Sequence, residues 1–211
     1  LADFGDVRAL AIDETSRARG HDYVTLAADA VQRRVLFVTE GRDAKTIEEL
    51  AAHLDDHGCP PEQIDTVSID MSPAFIKGVS TELPNAHITF DKFHVVWHAN
   101  VAVDKMRRIE QRTTKSLKGL RWSLLKDRSN LNPEAAADLD SLIAKMTTLR
   151  TARAWLYKEQ LREILERKQI NVVRAMLEHW CTCVMRSKVE PMKEVAALVR
   201  RYLEGIVAWA Q

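Results

Sequence analysis

The spacing of hydrophobic and polar positions changes character once along this chain. From Val7 to about His94, short runs rich in Val, Ile, Leu and Phe alternate with helix-spaced patterns, and beyond that point nearly every segment repeats at helical spacing. "VRALAIDE" predicts a first strand ending at Asp13, "DYVTLAADA" a second and "RRVLFVTEG" a third. With "RARGH" and the polar "AVQRR" as turns, these three form an antiparallel meander. In "DAKTIEELAAHLDDHG", Ile47, Leu50, Ala51 and Leu54 share one helical face and Gly58 supplies a stop. A fourth strand, "IDTVSID", runs into "SPAFIKGVSTEL", a helix with Ser72 as N-cap and Pro73 in its first turn. "HITFD" is a fifth strand and ends at Asp91.

The order βββαβαβ predicts an α/β fold with a mixed sheet: three antiparallel strands, then helix-linked strands that need parallel crossovers. That order is the ribonuclease-H-like arrangement, an analogy of fold that does not by itself specify chemistry. From Phe93 a long helix follows, with Val95, Ala99, Ala102, Met106 and Ile109 spaced for one apolar face. "PEAAADLDSLIAKMTTL", "RAWLYKEQLREILE", "INVVRAMLEHWCTCVMR" and "MKEVAALVRRYLEGIVAWA" then make a large all-α insertion region, with breaks near Asn130 to Pro133, Lys168 to Asn171, and Pro191. Trp122, Trp155, Trp180 and Trp209 fall there and are expected to fill the core between helices. The expected division is an α/β core over residues 1–111 and a helical region over 112–211.

Composition narrows the classes only a little. With 211 residues, 46% of them hydrophobic, the chain can bury a real core. Lysine and arginine total 31 against 30 acidic residues, so net charge singles out no partner and the distribution of charge must do so. Three cysteines, Cys59, Cys181 and Cys183, do not make a disulfide framework and suit a reducing cytoplasm. No apolar run approaches the roughly 18 to 20 residues that cross a bilayer, and the N-terminus lacks the layout of a signal peptide. No membrane partner is expected. The first residue is Leu1, which reads as a fragment or an excised domain.

Asp13, Asp70 and Asp91 all end predicted strands, and in the expected sheet the first and fourth strands are neighbours. An aspartate ending a buried strand caps the next element, pairs with a cation or holds a metal. Taken singly, each is well explained as a cap. Taken together, converging carboxylates repel one another unless a divalent cation neutralises them, and oxygen-only ligation suits Mg2+ or Mn2+. Two such ions about 4 Å apart can activate a water or a 3′ hydroxyl and stabilise the leaving oxygen of a phosphodiester. Glu14 points to the opposite face from Asp13 and reads as a surface or supporting group.

"LAIDETSRARGHDYVTLAADA", "VTEGRDAKTIEEL", "VSIDMSPAFIKGVSTELPNAHITFDKFHVV" and "DKMRR" together resemble the catalytic region of bacterial DDE transposases of the ISL-three insertion-sequence family. The similarity covers most of the chain and is most specific from Val67 to Val96. It implies a ribonuclease-H-like core interrupted by a helical insertion, with two aspartates and a late glutamate holding two metal ions for DNA cleavage and strand transfer. On the matching positions Asp13 is the first acidic residue and Asp70 the second, while Asp91 and His94 of "DKFH" line or support the site. The family's glutamate belongs to a segment resembling T-N-G-x-x-E-G-x-N beyond the helical insertion. Residues 1–211 contain no match to it, and Glu204 in "YLEGIV" fits the preceding helix instead. The resemblance therefore implies a core fragment, poorly active alone, whose complete form acts on transposon ends and target DNA, works as a homo-oligomer and is cytoplasmic and nucleoid-associated. The alternative is a non-catalytic DNA-binding or assembly module.

Nine basic residues lie between Lys105 and Arg128, opposed there only by Glu110 and Asp127. Lys105, Arg107, Arg108, Arg112, Lys115 and Lys118 are the candidates for phosphate contacts, against the plainer reading of a solvated helix face. His53, His57 and Cys59 have a spacing that could ligate zinc but no further ligand pair, and His179, Cys181 and Cys183 offer a second set, in which a C-x-C inside an apolar helix more often marks buried thiols.

Overall fold

The computed structural model describes residues 3–16, 23–126, 128–145 and 148–209; the turn "RARGH" and Asp127 lie outside the described residues. Two compact units emerge from the contacts, one comprising residues up to Asp91 together with Glu204–Trp209, the other Lys92–Leu203.

The first unit is built on β1 (Ala9–Ser16), β2 (Tyr23–Asp29), β3 (Arg34–Glu40), β4 (Thr66–Ile69) and β5 (His87–Phe90), in spatial order β3-β2-β1-β4-β5. β1 pairs antiparallel with β2, and β2 with β3, whereas β4 runs parallel to both β1 and β5. The chain is thus α/β with a mixed five-stranded sheet, and the two crossovers carry helices α1 (Ala44–Asp56) and α2 (Pro73–Glu82) as the parallel pairing requires. Asp43 caps α1 by accepting the N–H of Thr46, whose hydroxyl in turn serves the Asp43 N–H. Ile47, Leu50, Ala51 and Leu54 are buried along one face of α1, as their spacing predicts. Gly58, with φ +83°, turns the chain out of the helix, a conformation glycine adopts without penalty.

β1 departs from expectation by continuing three residues past Asp13 to Ser16. Its pairing with β2 persists over that length, while its registered partners on β4 stop at Ala11. Asp13 therefore lies two residues beyond the parallel ladder and still within the strand.

The second unit is all helical, with α3 (Lys92–Glu110), α4 (Arg121–Leu125), α5 (Pro133–Ile143), α6 (Arg150–Leu165), α7 (Ile170–Met185) and α8 (Glu190–Arg201). The last predicted helix is broken at Tyr202, after which α9 (Leu203–Ala208) returns to the first unit. There Gly205 lies against β5: a Cβ at that position would sit 2.5 Å from two ring carbons of Phe90, so only glycine permits the approach.

Val95, Ala99, Ala102, Val103 and Met106 form the buried face of α3, but Ile109 is 43% exposed and belongs to a different stripe. The tryptophans also divide. Trp155 and Trp180 are buried, the latter donating its indole N–H to the Tyr157 carbonyl at 2.9 Å, whereas Trp122 is 63% exposed and Trp209 is also exposed. Trp122 escapes the core because α4 is a five-residue helix whose one buried position is taken by Leu124.

Candidate functional site

Ala11, Ser68 and Thr89 are laterally aligned on β1, β4 and β5. Carrying those two registers on by two residues aligns Asp13, Asp70 and Asp91 in one row at the carboxyl end of the parallel strands. The Asp91 N–H still donates to the Ile69 carbonyl at 3.3 Å, which holds the β4–β5 spacing to that point. Neighbouring strands lie about 4.8 Å apart, and parallel partners project to the same face. The crossover helices α1 and α2 bring β4 and β5 alongside β1, which places the three aspartates near the carboxyl ends of the parallel ladders.

Asp13 is exposed, and Asp70 and Asp91 are half-buried. Each of the first two spends one oxygen locally: Asp13 Oδ1 accepts the Glu14 N–H at 2.8 Å, and Asp70 Oδ1 accepts the Ser72 N–H at 2.9 Å. The second bond is an aspartate turn that starts α2 and replaces the side-chain cap expected of Ser72, which makes no such bond although Pro73 does occupy the first turn. Asp70 is therefore a turn-former and a strand-end carboxylate at once. Glu14 is half-buried and pairs with Arg42 at 3.7 Å.

The donor set of this row is oxygen only, which fits magnesium or manganese. Among the described residues no group of three His, Cys, Asp or Glu is close enough to hold a metal ion, so these aspartates do not form a closed cage. The zinc readings do not materialise. Cys59 is buried with its thiol toward the Val7 carbonyl, while the His53 and His57 rings meet at a tilt with centres 4.2 Å apart and His57 Nδ1 meets the His53 carbonyl. Burial pushes the Cys181 thiol up to about 11, keeping it protonated against the Ala196 carbonyl. Cys183 instead faces His179 Nε2 at 3.4 Å.

His94 stands half-buried on the first turn of α3, in the helical unit. Of the basic candidates, Lys105, Arg108, Arg112, Lys115 and Lys118 are exposed. Arg107 is buried, and its guanidinium is committed to Asp104 (2.7 and 2.9 Å) and Gln111. Asp104 organises the whole cluster, taking Arg108 at 2.7 Å and Arg121 at 3.8 Å on its other oxygen. Burial alone would raise its pKa, but the hydrogen bonds and charge of Arg107 and Arg108 outweigh that and lower it. Reading the run as beginning at Lys105 hid Asp104, although its spacing of three and four from Arg107 and Arg108 is the helical signal for such pairing.

Comparison with known proteins gives this geometry a context. The family model DDE_Tnp_ISL3, described as a transposase, matches residues 10–211. The chain belongs to this family of bacterial insertion-sequence transposases. It is 28% identical over 217 residues to the transposase for insertion sequence element IS1001 of Bordetella parapertussis, covering 98% of this chain and 52% of that protein. It is 29% identical over 234 residues to the transposase for insertion sequence element IS1557 of Mycobacterium tuberculosis, covering 97% of this chain and 51% of that protein. The chain spans about half the length of these curated relatives.

Proposed function

We propose that the chain is the ribonuclease-H-like catalytic core and helical insertion of a DDE transposase, cutting DNA at insertion-sequence ends and joining it to a target. The observation that carries the reading is the parallel register of Ala11 with Ser68, which extended by two residues sets Asp13 beside Asp70, in a chain matched by a transposase family model over nearly its whole length. The strand order, antiparallel on one side of β1 and parallel on the other, supports the fold assignment. The core is taken as residues 1–111 and the insertion as 112–211.

Asp13 and Asp70 would hold Mg2+ or Mn2+, which supplies activation of the attacking oxygen and neutralisation of charge on the leaving one when bound. The chain's own part is to fix these carboxylates on strands, with Asp70 clamped by its bond to Ser72 N–H, so that little reorganisation is needed as charge develops. Asp91, two residues beyond Thr89 in the same row, lines the site, and His94 supports it. Exposed Lys105, Arg108, Arg112, Lys115 and Lys118 meet DNA phosphates, with Arg107 anchoring the run from within. The active form is a homo-oligomer on DNA in the bacterial cytoplasm. The family match does not favour the alternative of a non-catalytic module.

Residues 1–211 alone should cut DNA poorly, because a second ion normally needs a further carboxylate. A longer protein that includes the glutamate-bearing segment implied by the family resemblance should nick cognate ends in the presence of manganese. Asp70→Asn in that protein should abolish nicking while leaving circular dichroism unchanged. Nicking that survives the substitution would remove Asp70 from the chemistry.

A further inference from the structure

One stripe of α3 is apolar yet lies outside the packing of its helical unit. Trp97, Val101 and Ile109, four and eight residues apart along the helix, are 57%, 45% and 43% exposed. Together with Leu125 of α4 they line a cavity of about 600 Å³, around which four cations, Lys105, Arg108, Arg112 and Arg121, stand against one carboxylate, Asp104, and the amide of Asn100. Asp104 and Glu194 are the carboxylates that pair with these cations, and Arg112 has no acidic partner among the described residues. The groove therefore keeps positive charge around an indole face. The neighbouring Trp122 is already stacked by the Arg121 guanidinium, 5.0 Å from its ring centre.

An apolar floor alone would not identify an occupant. Guanidinium groups beside an exposed indole do narrow the choice, because phosphates and unstacked bases are the combination that satisfies both. A base paired within a duplex keeps its faces covered by its neighbours and offers the groove only its phosphates. We propose that the α3–α4 groove holds unpaired DNA nucleotides, with a base stacked on Trp97 and the adjoining phosphates met by Arg108, Arg112 and Arg121. This deepens the reading of the chain as a DNA-processing enzyme and rests on it. It assigns to the helical unit recognition of strand ends or distorted DNA, where a duplex-only phosphate surface would need no exposed indole.

The test measures binding of the 211-residue chain to a labelled single-stranded oligonucleotide of roughly ten nucleotides and to the matching duplex, in EDTA. Trp97→Ala should weaken single-strand binding by roughly tenfold and duplex binding by less than about twofold, because stacking is available only to unpaired bases. Trp97→Phe should recover most of the loss and Trp97→Arg should not, which separates stacking from charge. Equal losses on both DNAs, or unchanged single-strand binding, would overturn the proposal. So would sedimentation showing that Trp97→Ala dissolves a dimer while single-strand affinity stays constant, since the groove would then seat a second copy of the chain. The assay involves no metal and no cleavage: failure of the nicking reaction of the longer protein leaves this result standing, and the reverse also holds.

Discussion

Glu110 accepts the backbone N–H of Thr151 at 2.8 Å, and its second oxygen accepts that of Arg150 at 2.9 Å. The last residue of α3 thereby closes the first turn of α6, whose own N-cap position, Leu149, has no side chain to do so. Burial by itself raises the Glu110 pKa, but the Thr151 and Arg150 N–H groups and the Arg150 charge lower it below the ordinary glutamate range. A carboxyl whose folded pKa is depressed contributes stability that is full above its unfolded pKa and is lost as pH falls through the folded one. Glu110→Gln should therefore cost about 1–3 kcal/mol near neutral pH, from the loss of charge at one buried and one part-buried donor. In urea melts at a series of pH values, the difference from wild type should shrink below about pH 4. A difference that is constant with pH would mean that the charge of Glu110 is irrelevant to the helix junction.

Asp70 offers a way to separate turn formation from metal binding in one position. Asparagine keeps an oxygen for the Ser72 N–H, so Asp70→Asn should change stability by less than about 1 kcal/mol, whereas Asp70→Ala should lose about that much with the turn. Both should eliminate manganese binding measured by calorimetry. Manganese binding retained by Asp70→Asn would return Asp70 to the role of a cap alone.

Much of this arrangement can be read from residue order, because the cues are local. The short β-rich runs, the helical face of Ile47, Leu50, Ala51 and Leu54, and Pro73 in the first turn of α2 place strands and helices within a few residues, and the crossover rule then makes β1 and β4 neighbours. That neighbourhood sets Ala11 beside Ser68, two residues before Asp13 and Asp70. What stays hidden depends on partners distant in sequence. Ile109 shares the helical spacing of Met106 and Val95, yet which of two possible stripes is buried is decided by α6 and α8 packing on α3. Trp122 has a core-like side chain in a helix too short to bury it. Arg107 looks like any other cation of its run until Asp104 is placed inside the fold with it.

Gly205 and Phe90 give a test of how closely α9 must approach β5. Adding a methyl group at a point 2.5 Å from the Phe90 ring forces the ring or the helix to move, and overpacking of this kind costs about 1–3 kcal/mol. Gly205→Ala should show that loss in thermal or denaturant unfolding. Phe90→Leu, which vacates ring volume, should be less harmful in the alanine background than in the wild type, and the double-mutant cycle should report a coupling of about 1 kcal/mol. Additive effects would show that the contact does not limit the position of α9. Because Phe90 immediately precedes Asp91, the same cycle scored by manganese affinity asks whether α9 also steadies the end of the carboxylate row.

Arg107 and Arg112, close in sequence, should separate cleanly in stability and DNA binding. Arg107 is buried and doubly bonded to Asp104, so Arg107→Ala leaves a buried carboxylate with reduced compensation and should cost roughly 3 kcal/mol. Acid adds a second signature: the Asp104 pKa is held low despite burial by the Arg107 and Arg108 contacts, so the stability they contribute is present above the unfolded aspartate range and disappears as pH falls through the folded value. Arg107→Ala should therefore lose most of its disadvantage in acid. Arg112 is exposed and has no acidic partner among the described residues, so Arg112→Ala should leave unfolding unchanged. On duplex DNA it should instead weaken binding alike for all sequences and reduce the slope of log affinity against log salt by about one, the value for one phosphate contact. An unchanged slope would make the Arg112 surface a solvated face. A changed slope for Arg107→Ala at a temperature where that variant remains folded would show that Asp104 releases Arg107 to the phosphates when DNA is bound.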